Sequence, residues 1–156
     1  MESPAMTTPT VYEIRIALET ALFAALTPAF ESGEIVIVQP GEEIAPDLKK
    51  IQVIHNVNPG AIQSGELDPR GGIAPRLGVY TILLSCPNDV ESLMRTWELA
   101  GELEKSLRGR ELAAGECGNV YVGEVTTTNV GQTPDNRLGL SLSAEWWAWA
   151  GGYTEE

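Results

Sequence analysis

The sequence predicts an α+β domain with a mostly antiparallel or mixed sheet of about five strands and two helices packed on one face, in the order α-β-β-β-α-β-β. Two segments have apolar residues every three or four positions, the period of an amphipathic helix. Short β-branched or alternating segments separated by proline and glycine predict the strands. A chain of 156 residues, 43% of them hydrophobic, suits one domain, which we place at residues 10–150 between flexible ends at 1–9 and 151–156.

The first helix is predicted over residues 10–26. Thr10 with Glu13 three positions later is typical of a capping box, although Thr8 before Pro9 is an equally sound start. Pro28 is predicted to end the helix, because proline in a helix removes a hydrogen bond and clashes with the preceding turn. The apolar residues of this helix are Val11, Ile14, Leu18, Ala21, Leu22 and Ala25.

Two β-branched segments, residues 34–38 and 50–57, are predicted as strands. Residues 58–76, with four glycines and three prolines, are predicted as a long loop. Loops of this length are uncommon in compact domains and are usually functional or disordered. The segment is therefore either part of a binding surface or an excursion without a role.

The third strand is predicted over residues 78–86, with Pro87 at its end. It is apolar at both odd and even positions, which favours a central position covered on both faces. Of the two cysteines, Cys86 is predicted to pack as a small apolar residue and Cys117 to be exposed. No C-x-x-C spacing occurs, so both are expected to be free thiols.

A second helix is predicted to follow, with Asn88 as its N-cap, Glu91 reaching back to it and Gly109 as its stop. Glu91–Arg95 and Glu104–Arg108 have the spacing of i,i+4 ion pairs. The predicted apolar stripe consists of Val90, Leu93, Met94, Trp97, Ala100 and Leu107.

Residues 119–130 and 138–150 predict a hairpin, joined by the turn-forming sequence GQTPDNR. Alternation along the last strand assigns Trp146 to the core and places Trp147 and Trp149 on the opposite, otherwise polar face. Two indoles on a solvated face predict a partner surface. The alternative is an aromatic cluster covered by the protein's own N-terminal segment or loop. The predicted subunit or partner interface comprises Trp147, Trp149, Arg70, Arg76, Asp68 and Glu66.

Charge argues against nucleic acid and anionic membranes as partners. Lysine and arginine number 10 against 22 acidic residues, a formal net charge of −12, and the arginines are scattered along the sequence. The apolar segments are too short to cross a bilayer, and the first residues lack the features of a signal peptide. We therefore expect synthesis and residence in the cytosol.

No catalytic, cofactor-binding or metal site is predicted. The single histidine, His55, lies in a predicted strand without the partners that a metal site needs, and is expected to be structural. The chain has neither a G-x-S-x-G nor a P-loop motif, and the PRGG at 69–72 lacks the strand-to-helix context of a phosphate loop. We therefore do not expect an enzyme.

Several segments resemble the tail terminator proteins of long-tailed bacteriophages, a family of minor tail proteins. They are ALFAALTP at 21–28, LGVYTILLSCP at 77–87 with the helix that follows it, RGRELAAGECGNVYVGE at 108–124, and the last alternating strand ending in aromatics. Residues 39–76 have no matching segment. The resemblance covers most of residues 10–150.

The resemblance implies a hexameric ring that caps the tail tube, stops its polymerisation and offers the surface on which the head docks. The implied partners are other copies of the chain, the tail tube protein and a head-completion or connector protein, with DNA passing through the ring but not bound specifically. The implied location is the virion tail or neck, after assembly in the cytoplasm of the host bacterium. Two alternatives remain: a head-to-tail connector or tail completion (neck) protein, and a cytosolic small-ligand-binding α+β domain or enzyme whose tryptophans line a pocket.

Overall fold

A computed structural model of the chain describes residues 8–45, 48–62, 73–116 and 118–151. Two helices and six strands occur in this part of the chain. In chain order they are α1 (Val11–Glu31), β1 (Ile35–Val38), β2 (Ile51–Ile62), β3 (Ile73–Pro87), α2 (Val90–Leu107), β4 (Glu111–Ala114), β5 (Gly118–Gln132) and β6 (Arg137–Gly151).

The strands form one mixed sheet in the order β1-β2-β3-β6-β5-β4. Strands β1 and β2 are parallel and all other neighbours are antiparallel, so the predicted α+β fold is confirmed, as is the β5–β6 hairpin. The sequence analysis missed β4, whose four residues pair with the start of β5. A strand this short carries too little alternation to be recognised from its pattern.

Both helices pack on the same face of the sheet, as predicted, and a single core lies between them and the strands. The central strands β3 and β6 supply fully buried residues such as Tyr80, Ile82 and Leu142. The expectation that β3 is covered on both faces is wrong: Thr81 is exposed and Leu77 retains 46% of its accessible surface. We call the side of the sheet without helices the open face.

Helix α1 begins as predicted. The Thr10 hydroxyl accepts from the amide of Glu13 at 3.1 Å, and the Glu13 carboxylate accepts from the amide of Thr10 at 2.9 Å. The prediction that Pro28 ends the helix is wrong, since α1 continues to Glu31. Pro28 lies in the last turn, where its ring removes a single backbone hydrogen bond and its own carbonyl still accepts from the amide of Ser32 at 3.1 Å.

The predicted loop at 58–76 is largely strand where the structure describes it. Strand β2 runs on to Ile62 and β3 starts at Ile73, with a bulge between Asn58 and Ala61. Gly60 sits in this bulge with φ +65°, and a Cβ there would lie 1.6 Å from the Leu77 carbonyl oxygen. Pro59 and Gly60 therefore accommodate a bulge in β2 rather than a turn. Residues 63–72 lie outside the described residues.

Helix α2 is present, but its N-cap, its ion pairs and part of its buried stripe differ from the prediction. Its N-cap is Asp89, whose side chain accepts from the amide of Ser92 at 2.8 Å, while Gly109 follows the helix with φ +68° as expected of a stop. The predicted i,i+4 ion pairs are absent, because Arg95 pairs with Glu34, Glu98 and Glu102 and Arg108 pairs with Glu124. The residues that α2 buries are Thr96, Leu99, Ala100, Leu103 and Leu107.

Candidate subunit interface

One end of the open face is covered by the segment that leads into β2. Arg137 is only 3% exposed there. Its guanidinium donates hydrogen bonds to the Ser85 hydroxyl at 2.8 Å, to the Lys50 carbonyl at 2.8 Å and to the Leu48 carbonyl. The side chain of Gln52 donates to the carbonyl of Ala45 in the same region. This end of the face is therefore closed by the protein itself.

The middle of the open face is polar. Thr81 of β3 lies opposite Asn56 of β2 and Ser143 of β6, and Ser143 lies opposite Thr126 of β5. Asn56, Thr81 and Thr126 are exposed and Ser143 is partly exposed. Short polar side chains on an exposed surface carry no energetic need for a protein partner.

The other end of the open face is aromatic. Trp147 lies opposite Leu77 on one side and Tyr121 on the other, so the three form one row across the sheet, with Trp149 two residues further along β6. The Trp147 and Tyr121 rings stack with centroids 4.3 Å apart, and Trp147 meets Trp149 edge to face at 5.3 Å. Trp149 is 40% exposed and Leu77 46% exposed. We call Leu77, Tyr121, Trp147 and Trp149 the aromatic patch.

The predicted division of the three tryptophans is confirmed. Trp146 is 1% exposed on the helix side of β6, whereas Trp147 and Trp149 lie on the open face. Trp146 packs on Gly78, where an added Cβ would lie 2.2 Å from the indole Cζ2. Glycine at this position makes room for the indole in the core.

The other members of the predicted interface are not brought together with the tryptophans. Arg76 lies opposite Ala148, hence on the other face of the sheet from Trp147 and Trp149, and its guanidinium donates to the Pro59 carbonyl at 3.4 Å. Glu66, Asp68 and Arg70 lie outside the described residues. Sequence analysis missed Leu77 and Tyr121, because their membership of the patch follows from strand register, which the pattern of a single strand does not contain.

His55 belongs to the core, as expected. It is 2% exposed, its Nδ1 is 3.0 Å from the Tyr80 hydroxyl and 3.8 Å from the Glu19 carboxylate, and burial lowers its pKa. Burial likewise raises the pKa of the Tyr80 hydroxyl. Within the described ranges, no group of three histidine, cysteine or acidic side chains could hold a metal ion. Cys86 is buried and free, in line with its predicted packing role, and Cys117 lies outside the described residues.

Neither described helix is long and apolar enough to span a membrane. No protein-family model matches the chain, and no curated protein sequence matches it.

Solved structures that share its fold include two that match most of this chain. One, whose printed name states no function, has 19% identity over 94% of this chain and 99% of its own, with a TM-score of 0.66. The other is a chain from the "Virion of native gene transfer agent (GTA) particle", with 13% identity over 89% of this chain and 99% of its own, and a TM-score of 0.57. At these identities the similarity shows the fold, which this chain shares over nearly the full length of both neighbours.

Proposed function

We propose that the protein is a structural component of a bacteriophage-type virion, a tail terminator that forms a hexameric ring on the end of the tail tube. The observation that carries the proposal is the aromatic patch, an apolar surface that the described part of the chain leaves open. Support also comes from the fold shared with a chain of a gene transfer agent virion, and from the tail terminator resemblance of the sequence.

The patch has the composition of an interface core. Tryptophan and tyrosine are enriched among the residues that contribute most binding energy, and they lie near the centre of interfaces inside a polar rim. Here the pair of Val79 and the exposed Glu145 lies between the aromatic side chains and the polar zone of Asn56, Thr81 and Ser143. Aromatic side chains with polar residues beyond them are the arrangement expected of a protein–protein interface.

The stacked geometry makes the patch suited to binding without further ordering. Trp147 is fixed between Tyr121 and Trp149 by ring contacts at 4.3 and 5.3 Å. Side chains already held in one conformation lose little rotamer entropy when a partner covers them. A ring assembled through such patches would stop tube growth by occupying the end of the tube and would present its other side to the head.

The proposal is tested by light scattering and negative-stain microscopy of the purified chain, alone and with tubes polymerised from its cognate tube protein. We expect closed rings of about six subunits, with a mass near six times the 16.8 kDa of the chain, and tubes whose elongation stops when rings are added. The proposal would be refuted by a chain that stays monomeric at high concentration, forms no rings and does not cap tubes. Rings that bind purified head connectors but not tube ends would favour the neck-protein alternative.

A further inference from the structure

Helix α1 has an apolar outer face that the described part of the chain does not cover. The eleven residues from Thr20 to Phe30 carry no charged side chain. Tyr12 is 69% exposed and Ile16 42% exposed, and Ala24 is also exposed. A surface helix normally carries polar and charged residues on its outer side, as α2 does with its glutamates. The composition of residues 20–30 is instead that of a helical segment enclosed on both sides.

A groove of about 530 Å³ lies between this outer face and β4. Ile16, Thr20 and Ala24 form its α1 wall, and Leu112 and Ala113 form its β4 wall. Its described lining includes one charged residue, Glu13, whose carboxylate is engaged in the N-terminal cap of α1. We call this the α1–β4 groove. Small side chains on both walls leave room for large side chains from outside.

Charges of opposite sign border the groove and the aromatic patch. Arg110 lines a second cavity that shares Ala24 and Leu112 with the groove, at the end of the groove away from Glu13 and the exposed Glu116. Glu145 is exposed on the open face, two residues before Trp147. Neither Arg110 nor Glu145 has an ion-pair partner among the described residues. Arg110 beside the groove and Glu145 beside the patch are therefore charges of opposite sign that a contact between two copies could pair.

From these surfaces we infer that the aromatic patch of one copy occupies the α1–β4 groove of the next copy. The inference rests on the proposed ring and names its two contacting surfaces. The patch lies on the open face and the groove on the helix side of the sheet at β4, so two copies related by a two-fold axis cannot make both contacts at once. Each added copy leaves one patch and one groove free, so the contact is head-to-tail, the type that forms a ring when the rotation between copies closes.

The test uses variants that each damage one surface of the full chain. Ala24→Glu places a negative charge and extra bulk on the exposed α1 wall of the groove; Thr27→Glu adds the same charge to an exposed position one turn further along α1, outside the groove. The double variant Trp147→Ala, Trp149→Ala removes the patch. If circular dichroism shows that the double variant is unfolded, Trp149→Ala alone takes its place.

Sedimentation velocity then measures assembly. We expect Ala24→Glu and the patch variant each to weaken self-association by about 30-fold or more, and Thr27→Glu to assemble like the wild type. Mixed in equal amounts, the Ala24→Glu and patch variants should form complexes of two chains and no larger, because each supplies the one surface that the other lacks. The inference would be overturned if Ala24→Glu formed rings at the same concentration as the wild type, or if the mixture of the two variants stayed monomeric. Either result would leave the proposed ring itself intact. A wild-type chain that never self-associates would overturn both.

Discussion

Replacing each of the three tryptophans of β6 by alanine should separate folding from assembly. Trp146 is 1% exposed and packs on Gly78 in the core, so Trp146→Ala should cost about 3–5 kcal/mol of unfolding free energy, comparable with the whole stability of a small domain. Trp149 is 40% exposed and its one ring contact is an edge-to-face pair with Trp147. Aromatic pairs contribute about 0.5–1.5 kcal/mol, so Trp149→Ala should lie at or below that range.

Trp147→Ala should fall between these values. Its indole is half-buried and contacts both Tyr121 and Trp149, and the two ring pairs together correspond to about 1–3 kcal/mol. Trp147→Ala and Trp149→Ala should both abolish ring formation under conditions where they remain folded. Trp146→Phe is the matched core control: it keeps a ring over Gly78 and removes an indole N–H that has no hydrogen-bond partner, so it should be milder than Trp146→Ala.

The assay combines urea unfolding followed by circular dichroism with sedimentation velocity on the same samples. Unfolding is measured at dilutions where each protein is monomeric, because association with a folded partner raises the apparent stability. Equal losses of stability in all three alanine variants would show that the aromatic patch belongs to the core. Wild-type assembly by Trp149→Ala would remove the patch from the interface.

Three further predictions concern the architecture that positions these surfaces. Gly78→Ala should lower the unfolding free energy by about 1–3 kcal/mol, because the added Cβ overpacks against Trp146. In the control Gly123→Ala the nearest atom to the added Cβ lies at 3.7 Å, so the unfolding free energy should change by less than about 1 kcal/mol. Equal melting temperatures of the two variants would contradict the close approach of Gly78 to Trp146. Arg137→Met should lower the unfolding free energy by about 3 kcal/mol, because the carbonyls of Leu48, Lys50 and Ser85 lose a charged donor. Arg137→Lys should lower it by less. Urea midpoints like that of the wild type for both variants would refute the role of the guanidinium in holding this segment on the sheet. Because burial lowers the pKa of His55 in the folded protein, the unfolded chain takes up the proton first as the pH falls below about 6.5, and stability should fall by up to about 1.4 kcal/mol per pH unit. Of the charges on α1 that face His55, Glu19 raises its pKa and Arg15 lowers it, while the Tyr80 hydroxyl on β3 is neutral at these pH values. A His55→Gln variant with the same slope between pH 7 and 5 would assign the effect elsewhere.

Features that depend on a few neighbouring residues could be predicted from the sequence. The capping box at Thr10, the stop at Gly109 and the division of Trp146 from Trp147 each follow from spacings within one element. The candidate site was therefore predictable as two indoles on the open face. Its other members were not, because strand register brings Tyr121 and Leu77 to Trp147 from distant parts of the chain.

The structure differs from the prediction where a pattern allows more than one packing. Helix α2 carries two apolar stripes, each with helical spacing and displaced from one another by about one residue, or roughly 100° around the helix axis. The stripe through Leu99, Leu103 and Leu107 faces the sheet. The predicted stripe is correct at Ala100 and Leu107, which are buried, and wrong at Val90, Met94 and Trp97, which remain 72%, 64% and 46% exposed. Periodicity identifies both stripes but contains nothing that ranks them.

The misassigned α2 stripe and the uncharged segment of α1 have one physical feature in common. In both, the sequence carries more apolar surface than one sheet face can bury: Trp97 on α2, and Tyr12 and Phe30 on α1, remain 46%, 69% and 54% exposed. Apolar residues in a sequence mark surfaces that are buried within the chain and also surfaces that are buried against other chains. The isolated chain buries only the first kind. Exposed apolar patches of this kind mark interaction sites in soluble proteins. The ring proposed here covers the α1–β4 groove and the aromatic patch. It leaves the stripe of Val90, Met94 and Trp97 as surface for contacts beyond the neighbouring copy, so Met94→Glu should leave ring formation intact, and a loss of rings in that variant would place α2 in the contact between copies instead.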